Sequence, residues 1–157
     1  MCTGIDWRLL TLVLAFGLAG CNMSATVLKE KPSPYAFDAT VTAITEKAQA
    51  QGWEVAKVFD FQTALVAHQR PDPGRIKVLK LCSPEYASRM FSRDETKLVA
   101  VMAPCSIAVY EKADGRTYVS TMNMALMWRL MGDDIGPILA DIAEEDARIL
   151  DLTSRAP

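Results

Sequence analysis

The segment SIAVYEKADGRTYVSTM, residues 106–122, decides the fold of this chain. It contains two runs rich in β-branched and aromatic residues, which are the residue types that strands favour. The sequence Ala113-Asp114-Gly115 between them is typical of a tight hairpin turn. The segment therefore predicts two antiparallel strands, 106–111 and 117–122, and with them an antiparallel sheet rather than a parallel one.

Elements on both sides of this hairpin complete the predicted fold. Hydrophobic spacing and turn residues predict further strands at 53–61, 75–81 and 97–103. They predict helices that end at Gly52, run from 84 to about 91, run from 125 to 131, and begin near 133. Short connections and a hairpin favour an α+β fold, in which helices pack on one face of a curved antiparallel sheet as a two-layer sandwich.

The last predicted helix is strongly amphipathic. Its buried stripe is expected to consist of Ile135, Ile138, Ile142, Ile149 and Leu152. The acidic residues 144–146 between them are interpreted as a solvent-exposed face.

The N-terminal segment is typical of a bacterial lipoprotein leader. Arg8 precedes an apolar run, 9–18, which is too short to cross about 30 Å of hydrocarbon as a helix. The sequence Leu18-Ala19-Gly20-Cys21 resembles the lipobox, which implies cleavage before Cys21 and attachment of lipid to that cysteine. Asn22, rather than aspartate, follows Cys21 and favours the outer membrane by the sorting rule of enteric bacteria.

Three regions follow from this interpretation. Residues 1–20 are expected to be the signal peptide, residues 21–34 the lipidated cysteine and a flexible tether, and residues 35–157 the folded domain. The membrane, reached through the lipid on Cys21, is then the first expected partner. The expected location is the cell envelope, on the outer membrane and facing the periplasm.

Composition and charge argue against nucleic-acid binding and against enzymatic catalysis. The net charge of −2 is spread over 157 residues and provides no basic surface for nucleic acid. His68 is the only histidine, Ser106 and Ser120 have no evident base, and no acid–base constellation accompanies the cysteines. A binding domain is therefore expected rather than an enzyme. A protein partner or a second copy of the chain stays open as a binding partner.

Two cysteines are left in the predicted domain, Cys82 and Cys105. Three interpretations stay open: a disulfide, two inert buried thiols, or a redox or soft-metal site. Pro104 predicts an irregular bend at 103–105, and such bends often border pockets. We therefore expect a pocket beside both cysteines. Cys82, next to a helix start, is expected to be the more acidic thiol.

Methionines form the only other constellation with metal chemistry. Met102, Met122 and Met124 are candidate ligands for a soft ion such as Cu(I). Methionines at helical spacing are usually core residues, and core packing is the favoured interpretation here. The sequence names no cofactor.

The chain also resembles a known family. The runs Leu81-Cys82-Ser83-Pro84-Glu85-Tyr86-Ala87 and Ala103-Pro104-Cys105-Ser106-Ile107-Ala108-Val109-Tyr110-Glu111 are similar to the DUF302 pattern, over about residues 35–152. The resemblance implies a small α+β sandwich and no established activity. Two hypotheses follow: a lipid-anchored domain that binds a small ligand, a soft metal or a protein, and a thiol-based redox or sulfur-handling protein that uses Cys82 and Cys105.

The lipobox yields the first testable prediction. Replacing the acylated thiol (Cys21→Ser) is expected to abolish incorporation of radiolabelled palmitate and to release the protein from the membrane fraction. Replacing a cysteine of the predicted domain (Cys82→Ser) is the matched control and should leave labelling intact. Unchanged palmitate incorporation in Cys21→Ser would overturn the lipoprotein interpretation.

Overall fold

The computed structural model describes residues 27–153. The predicted signal peptide and Cys21 lie outside this range. Within it, no helix combines the length and the apolar character needed to span a membrane.

The described chain contains five strands, five α-helices and one 3-10 helix. In chain order they are β1 (Leu28–Pro32), α1 (Phe37–Ala50), β2 (Glu54–Asp60), α2 (Phe61–Ala67), β3 (Ile76–Cys82), α3 (Pro84–Met90), the 3-10 helix (Asp94–Met102), β4 (Cys105–Glu111), β5 (Thr117–Met122), α4 (Met124–Leu130) and α5 (Gly132–Ile149).

The five strands form one antiparallel sheet in the order β1-β5-β4-β3-β2. The central pairing aligns Leu79 with Ile107, and the hairpin aligns Val109 with Val119. The register shifts between Val55 and Lys57, so β2 carries a bulge, a feature that bends a strand and increases its twist.

The core lies between one face of this sheet and the helices. Alternate strand residues Leu79, Ile107 and Val109 are completely buried, as strand periodicity requires for a face covered by helices. They belong to the same buried cluster as Ile44 of α1 and Ile142 of α5. The two layers therefore share one hydrophobic core.

The predicted fold class is confirmed. The chain is an α+β domain with an antiparallel sheet, and the predicted hairpin forms from Cys105–Glu111 and Thr117–Met122, so its first strand begins one residue earlier than predicted. The apolar stripe predicted for the last helix is also buried at every position. The segment 62–68, which has no clear pattern, forms most of α2, with His68 as its C-cap. The first turn of α2 is capped by the Asp60 side chain, which accepts a hydrogen bond from the Thr63 amide at 2.9 Å.

The prediction of a tether over 21–34 is wrong for residues 28–32, which form strand β1. These residues pair with β5, from Leu28 opposite Met122 to Pro32 opposite Tyr118. Every residue of β1 is exposed, so the strand shows no alternation of apolar and polar residues. Charged residues and a terminal proline are common on edge strands, because they discourage pairing with another chain.

The prediction of a strand over 97–103 is also wrong, because residues 94–102 form the 3-10 helix. Thr96 and Val99, three residues apart, are its buried residues, whereas Leu98 and Val101 are exposed. This spacing matches the three residues per turn of a 3-10 helix. A short apolar run cannot be assigned to strand or helix by periodicity alone, which explains the error.

The position of β1 yields a stability prediction. A chain that begins at residue 33 lacks β1 and leaves the buried side chain of Val119 on a new sheet edge. Relative to a chain that begins at residue 27, its free energy of unfolding is expected to fall by about 3 kcal/mol, the value of one or two buried aliphatic side chains. Urea unfolding followed by circular dichroism measures the difference. Equal midpoints and slopes for the two chains would show that β1 is not part of the cooperative fold.

Candidate functional site

Cys82 and Cys105 lie at neighbouring strand ends. Cys82 ends β3 and Cys105 begins β4, with Cys105 opposite Leu81 in the register. Both are half-buried free thiols. They line one small cavity of about 20 Å³ together with Trp53 and Tyr86. That volume holds about one water molecule, so this cavity cannot take a small organic ligand.

The surroundings of Cys105 disfavour a thiolate. Burial raises the pKa of the Cys105 thiol to about 12, and the negative charge of Asp146 adds to this effect. A nucleophilic or metal-binding cysteine needs the opposite environment, one that lowers its pKa. At neutral pH Cys105 is therefore a protonated, packed thiol. The irregularity predicted at this point is present as a cis peptide bond between Ala103 and Pro104.

The three candidate metal-binding methionines do not all lie around the same cavity. Met102 and Met124 line a second cavity of about 20 Å³ with Cys105. Met122 lies on β5, opposite Leu28 of the edge strand β1, and lines neither small cavity. Met90, which sequence reasoning did not choose, lines both small cavities.

The cavity beside Met102 and Met124 is lined mainly by apolar side chains, as a protein core is. Its remaining lining consists of apolar residues, among them Val99, Ile135 and Leu139. Between residues 27 and 153, no group of three or more histidine, cysteine or carboxylate side chains is placed to hold a metal ion. The apolar lining of the cavity supports a packing role for Met102 and Met124.

Glu145 of α5 joins three parts of the fold. One carboxylate oxygen accepts a hydrogen bond from the Trp53 indole at 2.5 Å, and the other accepts from the Tyr86 hydroxyl at 2.9 Å. The two aromatic rings lie 5.8 Å apart. Burial, with the hydrogen bond to Glu145 as the second cause, raises the pKa of Tyr86 to about 12. Each group is satisfied by its neighbours, so the cluster fastens α5 to α3 and to the start of β2.

A much larger cleft of about 590 Å³ opens between the β1 edge of the sheet and α5. Helix α5 contributes Ala143, Asp146 and Ala147, and Leu150 follows directly after the end of the helix. These residues are three or four positions apart, which is the spacing of one helix face. The strands contribute the remaining lining residues, which are Leu28, Lys29, Glu30, Lys31, Val119 and Thr121. Five of the ten lining residues are charged or polar, and the small alanines of α5 leave the cleft open.

Asp146 is the carboxylate on the α5 side of the cleft. Burial raises its pKa to about 6, although the charges of Lys29 and Lys31 and a hydrogen bond with the Thr121 side chain act in the opposite direction. The folded chain thus holds this proton up to about pH 6, whereas an ordinary aspartate loses it near 3.8. The folded state therefore loses stability as the pH rises through this interval. A carboxylate held at such a cost in a cleft is a candidate functional group.

The sequence does not reveal this cleft, because its patterns place both walls elsewhere. Residues 28–32 fall within the predicted tether, and Asp146 falls within the predicted solvent-exposed face. The available signals were the alternation of Lys29 and Lys31 around Glu30, and a carboxylate within a helical stripe of alanines. Neither signal shows by itself that the first strand lies beside the last helix.

An antiparallel sheet with helices on one face and a cleft at its edge defines the class, a two-layer α+β domain. The chain belongs to the family described as "Domain of unknown function DUF302", which it matches over residues 29–153. That match begins inside β1.

A solved structure shares this fold. It is the crystal structure of an uncharacterized conserved protein DUF302 from Bacillus stearothermophilus, with a TM-score of 0.72 and 22% sequence identity. The similarity covers 82% of this chain and 98% of that chain. No curated protein matches the sequence.

The environment of Cys105 yields a reactivity prediction. In a chain of residues 21–157 that carries Cys21→Ser and Cys82→Ser, Cys105 is the remaining thiol, and iodoacetamide at pH 8 should alkylate it very slowly. A pKa of about 12 instead of 9.0 lowers the thiolate fraction roughly a thousandfold. Mass spectrometry measures the rate, with the same variant in concentrated urea as the unfolded reference.

The matched control carries Cys105→Ser and keeps Cys82. Rapid alkylation of native Cys105, at a rate close to that in urea, would contradict the packed-thiol description and restore the redox hypothesis.

Proposed function

We propose that this chain is a lipid-anchored protein of the cell envelope, on the outer membrane and facing the periplasm, whose DUF302 domain binds a small molecule in the cleft between β1 and α5. The cleft itself carries the proposal. Its volume of about 590 Å³ falls in the range of about 300–1,000 Å³ that small-molecule sites occupy.

The chemistry of the cleft supports a binding role. Ligand sites are commonly apolar with a few placed polar groups, and here Val119 and Leu150 accompany Asp146, Thr121 and Lys29. The partly buried carboxylate of Asp146 is the feature that packing alone does not require, because ionising it opposes folding near neutral pH.

The anchor rests on the lipobox at Cys21, a residue outside the described range. Six residue steps separate Cys21 from Val27, and an extended chain of that length spans at most about 20 Å. A lipid on Cys21 would therefore hold β1, and with it one wall of the cleft, close to the bilayer. A ligand could then enter from the membrane side or from the periplasm.

The thiol-based hypothesis has less support. Both small cavities beside Cys105 hold about 20 Å³, and its pKa of about 12 keeps the thiol protonated at neutral pH. Binding of a soft metal ion would use the same protonated thiol or the packed methionines. The cleft therefore offers the better site.

Binding in the cleft is tested with a neutral, environment-sensitive dye, N-phenyl-1-naphthylamine. The mature chain, residues 21–157 with Cys21→Ser, should enhance its fluorescence in a saturable way. Ala147→Trp, which fills the cleft, is expected to weaken binding by at least about tenfold by replacing the space that the dye occupies. Ala50→Trp, at an exposed alanine of α1 outside the cleft, is the matched control. Equal dye binding by both variants would place the site elsewhere.

A further inference from the structure

We propose, resting on the function proposed above, that the ligand of this cleft is a small anionic amphiphile, a molecule with an apolar body and a single carboxylate that contacts Lys29 and Lys31. The inference stands on the placement of the two lysines, on the charges that face them, and on the apolar walls beneath.

Lys29 and Lys31 project from the helix-covered face of the sheet. In the register, Lys29 lies opposite Thr121 and Lys31 opposite Val119, and both partners are buried on that face. Glu30, the intervening residue, takes the other direction, where Tyr110 donates a hydrogen bond to its carboxylate and the Lys112 ammonium lies 2.6 Å away. The cleft thus receives two ammonium groups, while Glu30, which also lines the cleft, has its carboxylate engaged by Tyr110 and Lys112.

The cleft has an excess of positive charge. Asp146 is the one carboxylate on the α5 side, and its interaction with Lys29 and Lys31 acts through space rather than as a close ion pair. The Lys31 ammonium donates a hydrogen bond to the Leu150 carbonyl. Lys29 forms no ion pair within residues 27–153, so its ammonium can take a ligand anion without giving up another partner.

A cationic ligand fits this arrangement poorly, because its head would meet two ammonium groups. A polyanion also fits poorly, since Asp146 adds a negative charge on the α5 side of the cleft. A ligand with a single carboxylate avoids both the repulsion from the lysines and that from Asp146. Its carboxylate can accept a charge-assisted hydrogen bond from an ammonium group. The walls formed by Val119, Ala143 and Ala147 then receive an apolar chain or ring.

Calorimetric titration of the mature chain with Cys21→Ser tests the inference, with decanoate and decyltrimethylammonium as probes below their micelle concentrations. Decanoate should bind at least about fivefold more tightly, the ratio for one favourable unit-charge contact in water-like surroundings. Lys29→Gln should weaken decanoate binding by about the same factor. Asp146→Asn, which removes the opposing charge, should strengthen decanoate binding.

Two controls separate the inference from the proposed function. Lys57→Gln removes an exposed lysine of β2, outside the cleft, and should leave decanoate binding unchanged. Binding of the neutral dye should be insensitive to Lys29→Gln and Asp146→Asn. If the dye binds but decanoate has no advantage over the cation, or Lys29→Gln has no effect, the anionic ligand is wrong and the binding function stands. If neither the dye nor decanoate binds, both proposals fail.

Discussion

One-sided burial of the sheet is the constraint on which the rest of the structure depends. An antiparallel sheet needs a partner layer to cover its apolar face, and here α1 and α5 provide it. Ile107 and Val109 at the centre of the sheet share a core with Ile44 and Ile142 of these helices. Because Ile142 and the buried residues around it hold α5 against the strands, the direction of every other side chain on that helix is set as well.

The positions of two consecutive carboxylates on α5 show what this constraint produces. Successive helix residues point about 100° apart, so Glu145 and Asp146 face different surroundings. Glu145 meets Trp53 and Tyr86, which satisfy it with hydrogen bonds and make it a fastening between elements. Asp146 meets the cleft, where it has a raised pKa and two lysines that act from a distance. The position of Glu145 is explained by its structural role alone, whereas that of Asp146 is explained by the proposed binding site.

Much of the fold was predictable from sequence because its main elements repeat a strict period. The hairpin 106–122 and the stripe of α5 both bury one face, and burial imposes the period on the sequence. The strand Leu28–Pro32 buries none of its residues, so it leaves no such pattern. The cleft could not be predicted, because its walls are far apart in the chain and its existence depends on β1 pairing with β5 beside α5.

The order in which the chain is synthesised gives the cleft a further property. Its walls come from the first strand and the last helix, and the hydrogen bond from Lys31 to the Leu150 carbonyl joins positions 119 residues apart. Any nascent or truncated polypeptide that ends before residue 143 lacks one wall completely. A ligand that binds the cleft therefore stabilises finished molecules and gives no protection to incomplete ones. Resistance to proteolysis in the presence of ligand would distinguish complete from incomplete products of synthesis.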